Sequence, residues 1–229
     1  MEKNPKFIHL RSHSEYSLLE GALRLKKLPE LLEIMGMPAI AITDTNNMFC
    51  ALEFSEYASK AGIQPIIGCQ LDVAYDPARL GEKVRLPASL VLLAQNATGY
   101  QNLLILNSRL YLNANGERPQ LQISDLVDYA EGVICLTGGP DGPLGRLLQA
   151  GQVDKTRALI DKLKQAYGNR LYIELQRHPS DDGIVPDSER LTERGLIELA
   201  YSMDLPLVAT NDVHFAKPES YEAHDALLC

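Results

Sequence analysis

Apolar residues arrive along this chain in short continuous runs, separated by stretches with helical spacing. Phe7–Leu10, Ala39–Ile42, Pro65–Cys69, Leu90–Ala94, Val133–Leu136, Leu171–Leu175 and Leu207–Thr210 are each of strand length. Runs that do not alternate with polar residues suit strands covered on both faces, as in a parallel sheet under helices. Between the first two runs, Leu25, Leu28, Leu32 and Met35 fall at helical spacing and Gly36 supplies the stop. The second run ends in the polar Thr43–Asn47, and a helix is predicted from about Met48 to Ala61, stopping at Gly62. Tyr111–Gln122, polar and carrying Gly116 and Pro119, reads as an exposed loop.

Helical stretches separate most of the strands, which is the βα signature. About seven such units predict an α/β barrel in preference to an open sheet. The 229 residues suit one domain over 1–229, since barrels of this kind run to about 250 residues. Tyr221–Cys229 reads as a helix without a stop signal, ending on apolar residues, so the chain is expected to be cut from a longer protein.

Composition narrows the class. Hydrophobic residues make up 45 % of the chain, enough for a sizeable core. The net charge of −8 argues against DNA as the main ligand of this domain, because nucleic-acid binders carry a basic face. Cys50, Cys69, Cys135 and Cys229 form no CxxC pair and no secretory signal precedes them, so a reduced cytoplasmic chain is expected. No apolar run approaches the roughly 20 residues that span a bilayer, so no membrane partner is expected.

Candidate chemistry gathers just past the predicted strand ends, which converge on one face of a parallel barrel. Arg11, His13 and Glu20 follow the first strand, Asp44 the second, His178 the sixth, and Asp212 and His214 the seventh. Imidazoles and carboxylates from distant segments suit a divalent metal and phosphoester hydrolysis. Asp212-Val213-His214 places two ligand-type side chains on one side of an extended segment. Plainer roles compete. His9 lies within a strand and reads as structural, His178 can hydrogen-bond in its loop, and Asp44 can cap the next helix. His224 reads as a packed or surface residue, and Gly138–Gly142 as a turn before a helix more readily than a phosphate loop.

His9-Leu10-Arg11-Ser12-His13-Ser14-Glu15-Tyr16-Ser17-Leu18-Leu19-Glu20-Gly21 resembles the opening motif of bacterial DNA polymerase III α subunits, within their amino-terminal PHP (polymerase and histidinol phosphatase) domain. Ala41–Asp44, Pro65–Cys69, Gly99–Leu103, Glu174–His178, Ala209–His214 and His224–Cys229 match in the same order. The resemblance covers essentially the whole chain. It implies a distorted (βα)7 barrel and, in active relatives, a multi-metal cluster. Carried over position by position, His13, Glu20, Asp212 and His214 are retained as ligand types. Arg11 replaces the first histidine, Thr45 the imidazole after Asp44, Gln70 a glutamate, Ser89 a histidine and Gly139 a cysteine or histidine. Neutral hydroxyls and amides bind divalent ions weakly, and Arg11 puts a permanent cation where an ion would sit. Arg11 is therefore expected to act as a structural counter-charge for Glu20 or Asp212, leaving His13, Glu20, Asp212 and His214 as a vestigial metal site.

The resemblance implies a non-catalytic domain, with DNA synthesis and its Mg²⁺ belonging to other parts of a full-length polymerase. The expected partners are the rest of the α subunit and the proofreading exonuclease subunit, with DNA contacted only through the full-length protein. No cofactor is expected here. The alternative is a metal-dependent phosphoesterase or 3′–5′ exonuclease, since four ligands can still hold one Zn²⁺ or Mn²⁺. A free-standing small-molecule phosphatase is a third reading.

Overall fold

A computed structural model describes residues 7–76, 86–114, 116, 118–180 and 182–229. In chain order the elements are α1 (Leu28–Met35), β1 (Ala39–Ile42), α2 (Ala51–Lys60), β2 (Gln64–Ala74), β3 (Ala88–Ala94), α3 (Ala97–Leu112), β4 (Leu121–Gln122), α4 (Ile123–Asp128), β5 (Val133–Leu136), α5 (Pro143–Gln149), α6 (Val153–Tyr167), β6 (Leu171–Leu175), α7 (Asp187–Ser202), β7 (Leu207–Ala209) and α8 (Tyr221–Leu228). The chain packs as two compact units, residues 1–69 with 211–229, and residues 70–210.

In the first unit, β1 pairs in parallel with the start of β2, Ala39 opposite Gln64 through Ile42 opposite Ile67. All four residues of β1 are buried, so it is covered on both faces as its unbroken apolar run implies. Leu28 and Leu32 form the inward face of α1, continued backwards by Leu25 of a short 3₁₀ turn. They pack with Ile40, Ile42, Phe54, Ala58 and Ile63 into one apolar cluster. Each such leucine contributes about 2 kcal/mol when fully buried. Gly36 ends α1 in the left-handed conformation (φ 66°), its N–H meeting the carbonyls of Leu32 and Glu33.

In the second unit the strands run in the order β2-β3-β5-β6-β7, with β4 paired to β2. The pairs β2·β4, β5·β6 and β6·β7 are parallel, whereas β3 and β5 are antiparallel, Val91 opposite Leu136. The sheet is therefore mixed, a correction to the all-parallel reading. A buried apolar run is equally compatible with either direction, so the pattern could not choose between them. Leu90, Val91, Leu92, Val133, Cys135 and Leu171 are wholly buried. Asn96 starts α3 by accepting a hydrogen bond from the Gly99 N–H (3.0 Å).

Two further expectations change. Residues 7–10 form no regular strand; the nearby order is carried by isolated bridges, Ser12 with Val213 and Ser14 with Leu23. Tyr111–Gln122 is not simply an exposed loop: Tyr111 and Leu112 complete α3, and Leu121 is a buried strand residue in β4. Its polar composition hid a two-residue strand too short to show a pattern.

Candidate functional site

The candidate site is built within the first unit from two chain segments lying side by side. The His13 N–H donates to the Val213 carbonyl (2.7 Å), and the Val213 N–H donates to the Arg11 carbonyl (3.2 Å). On the other flank, the Thr43 N–H reaches the Ser12 carbonyl and the Ala41 N–H the His9 carbonyl, both at 2.8 Å. Residues 9–13 thus occupy a strand's position without a strand's regularity, and this threading sets Arg11 and His13 against Asp212 and His214.

Three side chains gather around one carboxylate oxygen of Asp212. Asp212 Oδ1 lies 2.9 Å from Arg11 Nε, 2.9 Å from His13 Nε2 and 3.6 Å from His214 Nε2. The His13 and His214 rings stack 4.3 Å apart with their planes at 4°. Arg11 is 3 % exposed and His13 fully buried, while Asp212 and His214 keep about a quarter of their side chains open. Burial alone would push the Asp212 carboxyl up. The Arg11 charge, the hydrogen bond from His13 and the nearby His214 imidazole outweigh it and hold the group far below the ordinary carboxylate range. Asp212 adopts the left-handed conformation (φ 47°). Its carboxylate and the His214 imidazole lie close together, 3.6 Å apart. An acid tolerates this backbone better than most residues because its short polar chain can hydrogen-bond locally.

Glu20 stands beside this group. Its Oε2 accepts a hydrogen bond from Thr45 Oγ (2.6 Å), and the same hydroxyl lies 3.4 Å from His13 Nδ1. Thr45 thus ties the acid to the histidine. Gly21 makes the turn that presents Glu20: a Cβ there would lie 2.0 Å from the Ser14 carbonyl oxygen.

Asp44 does not cap α2. It is buried and accepts from the Ser14 N–H (2.6 Å), Ser14 Oγ (2.7 Å) and Ser17 Oγ (2.7 Å). Ser17 Oγ is also 3.2 Å from His13 Nδ1, so Asp44 orients His13 through the serine. This supporting pair was missed in the sequence, where only the Ser-rich character of the loop hinted at it. His224 was also underestimated. From α8 its Nε2 donates to the Glu20 carbonyl (2.6 Å), and its ring lies 5.7 Å from that of His214 and 5.0 Å from Phe215. The His224–Cys229 motif was the only signal of that placement.

The remaining candidates keep plainer roles. His178 Nδ1 and N–H both meet the Glu189 carboxylate, at 2.6 and 2.8 Å. Burial lowers the pKa of His9, whose ring packs edge-on against Phe7. Gly138–Gly142 forms a turn of 3₁₀ character before α5. In the second unit, Ser89 Oγ donates to Asp72 (3.3 Å), and Gly139 is left-handed (φ 60°).

Three donors converge closely enough for one ion: His13, Asp212 and His214 offer ligand atoms within 4.8 Å of one another. A multi-ion cluster does not fit these residues. The guanidinium of Arg11 already shares the carboxylate oxygen that would face a cation. His13, Asp212 and His214 would be the donors to a single ion, which would polarise water or phosphate there.

The chain is similar to DNA polymerase III subunit alpha of Caulobacter vibrioides, 44 % identical over 97 % of this chain and 19 % of that protein. The corresponding subunit of Treponema pallidum is 39 % identical over 97 % of this chain and again 19 % of its own length. The chain thus spans about a fifth of these relatives. Among solved structures, an amidohydrolase from Chromobacterium violaceum superposes with a TM-score of 0.55 at 15 % identity, covering 96 % of both chains. A protein from Bifidobacterium adolescentis, named as a candidate metal-dependent phosphoesterase, gives 0.57 at 15 % identity over 92 % of this chain and 89 % of that one. At such identities the likeness is one of fold, and it agrees with the mixed α/β, distorted (βα)-barrel class that the resemblance implied. The PHP domain family model matches residues 9–178. Because that match takes in well over half of the chain, the chain belongs to the PHP domain family.

Proposed function

We propose that this chain is the amino-terminal PHP domain of a replicative DNA polymerase III α subunit, a non-catalytic scaffold in the cytoplasm. The observation that carries the reading is the Arg11–Asp212 contact of 2.9 Å within the histidine cluster. A fixed cation there neutralises the acid and joins the segments that an ion would otherwise have joined. DNA synthesis and its Mg²⁺ then belong to other parts of the longer polypeptide. This domain supports the remainder of the α subunit and offers a face to the proofreading exonuclease subunit. Similarity to α subunits across nearly the whole chain supports the assignment. The net charge of −8 favours protein partners over direct DNA contact. Among the described residues, no helix is long and apolar enough to cross a membrane.

The second reading is a metal-dependent phosphoesterase or 3′–5′ exonuclease, favoured by the three converging donors. Metal analysis of protein purified without chelator separates the two readings. The scaffold reading expects substoichiometric Zn²⁺ and Mn²⁺ and no nuclease activity that depends on His214. One tightly bound ion per chain, with phosphoesterase activity abolished in His214→Ala, would overturn it.

A further inference from the structure

The first unit carries a second concave feature, outside the histidine cluster. A cleft of about 360 Å³ lies between α1 and the segment leading into α8. Its apolar part includes Leu31, partly buried against the core cluster, and Ile34, which is 76 % exposed. Its charged lining is lopsided: Arg24, Lys27 and Lys217 face it against a single acid, Glu30. None of those three cations forms an ion pair among the described residues, and all three are exposed. A chain of net charge −8 has thus collected, beside the exposed Ile34, three cations that form no ion pair among the described residues.

A larger cleft of about 780 Å³ beside α7 offers a contrast. There Arg177, Arg190 and Arg194 are matched internally by Glu193, Asp187 and Glu198. Its charges are already answered, whereas among the described residues those of the smaller cleft are not.

We propose that the cleft beside α1 is a docking groove for an acidic, aliphatic peptide segment of a partner protein. Two features choose this occupant. The cations call for carboxylates, and complementary charge steers association and fixes register. Ile34, with the partly buried Leu31 beside it, calls for an apolar side chain, which exposed aliphatic surface on a helix recognises by burial. A nucleic-acid backbone would satisfy the cations and leave the aliphatic floor uncovered. The proposal rests on the cleft alone and does not depend on the polymerase reading.

The experiment is selection of a random-peptide phage library on the 229-residue chain, with fluorescence anisotropy on the enriched peptides. The expected consensus pairs acidic residues with a Leu, Ile or Phe. Lys27→Glu/Lys217→Glu is expected to weaken those peptides about tenfold or more, and raised salt to weaken them further. Ile34→Ser is expected to weaken them without changing the salt dependence. All three positions are exposed, so melting curves should match the parent and separate lost binding from lost folding. A basic or uncharged consensus, affinity indifferent to these substitutions, or tighter binding of a labelled single-stranded oligonucleotide at the same residues would each overturn the proposal.

Discussion

Arg11 and Asp212, 201 positions apart in the chain, form an ion pair of 2.9 Å in which the guanidinium is almost wholly buried and the carboxylate a quarter exposed. The pair closes one segment of the first unit onto another and fixes the acid's charge in place. Removing one partner of such a pair costs more than its net contribution, because the other is left uncompensated.

Arg11→Ala is therefore expected to lower stability by about 2–4 kcal/mol in urea unfolding, toward the smaller value because Asp212 keeps some water. Arg11→His should instead supply an imidazole and raise Zn²⁺ affinity in calorimetric titration. If the histidine variant binds no more zinc than the parent, the counter-charge explanation of Arg11 is wrong.

Asp212 combines a charge with an unusual backbone, and two substitutions separate these contributions. Asp212→Asn keeps a side chain that tolerates the left-handed conformation and loses only the charge. Asp212→Ala loses both, and should be less stable than the asparagine variant by about 1 kcal/mol. Equal melting temperatures would show that the backbone at this position is not under strain.

Gly21 has no room for a methyl group, since the Ser14 carbonyl oxygen would lie 2.0 Å from its Cβ. Gly21→Ala must displace the loop that presents Glu20, at about 3 kcal/mol. Thermal unfolding checks the cost. Backbone-amide NMR shifts at Ser14 and Ser17 should move more than those of α6.

The Tyr16 hydroxyl donates to Glu53 Oε2 at 2.8 Å. Hydrogen bonding to this carboxylate, then its charge, raises the Tyr16 pKa and also that of Tyr57. A phenol raised on folding adds stability fully below its ordinary value of about 10, lost as pH climbs through the folded value. Glu53 is lowered chiefly by its hydrogen bonds from Tyr16 and Tyr57, so its contribution is present above about pH 4.3 and fades as pH falls through the folded value. In Glu53→Gln, alkaline absorbance titration should show two phenols ionising earlier than in the parent. Superimposable curves would rule out this coupling.

Thiol accessibility gives an independent check of the core. Cys50, Cys69 and Cys135 are buried, and burial pushes the Cys50 and Cys135 thiols far up, whereas Cys229 is exposed. Native protein is expected to react with a thiol reagent once per chain, and with four thiols in denaturant. Substituting Cys229→Ser should abolish the fast reaction.

Elements with strong periodicity were legible before the structure. Leu25, Leu28 and Leu32 with Gly36 defined α1, and Ala39–Ile42 showed its two-sided burial as an unbroken apolar run. The direction of β3 against β5 was not legible, because hydrophobicity carries no sign for strand polarity. His13, Asp212 and His214 were chosen from the sequence and meet in the structure, with Arg11 among them. The roles of Ser17 and Asp44 were invisible, since they depend on hydrogen bonds across a loop whose path no local pattern fixes. His224 was hidden for a related reason: a histidine on a short helix gives no indication of which carbonyl it will find.

The bond from His224 to the Glu20 carbonyl makes α8 a tether on the acidic loop. A rotation of that helix by a fraction of a turn would drag Glu20 away from Thr45 and disturb the ring stack through His214. Strain arriving along α8 would therefore register at the histidine cluster.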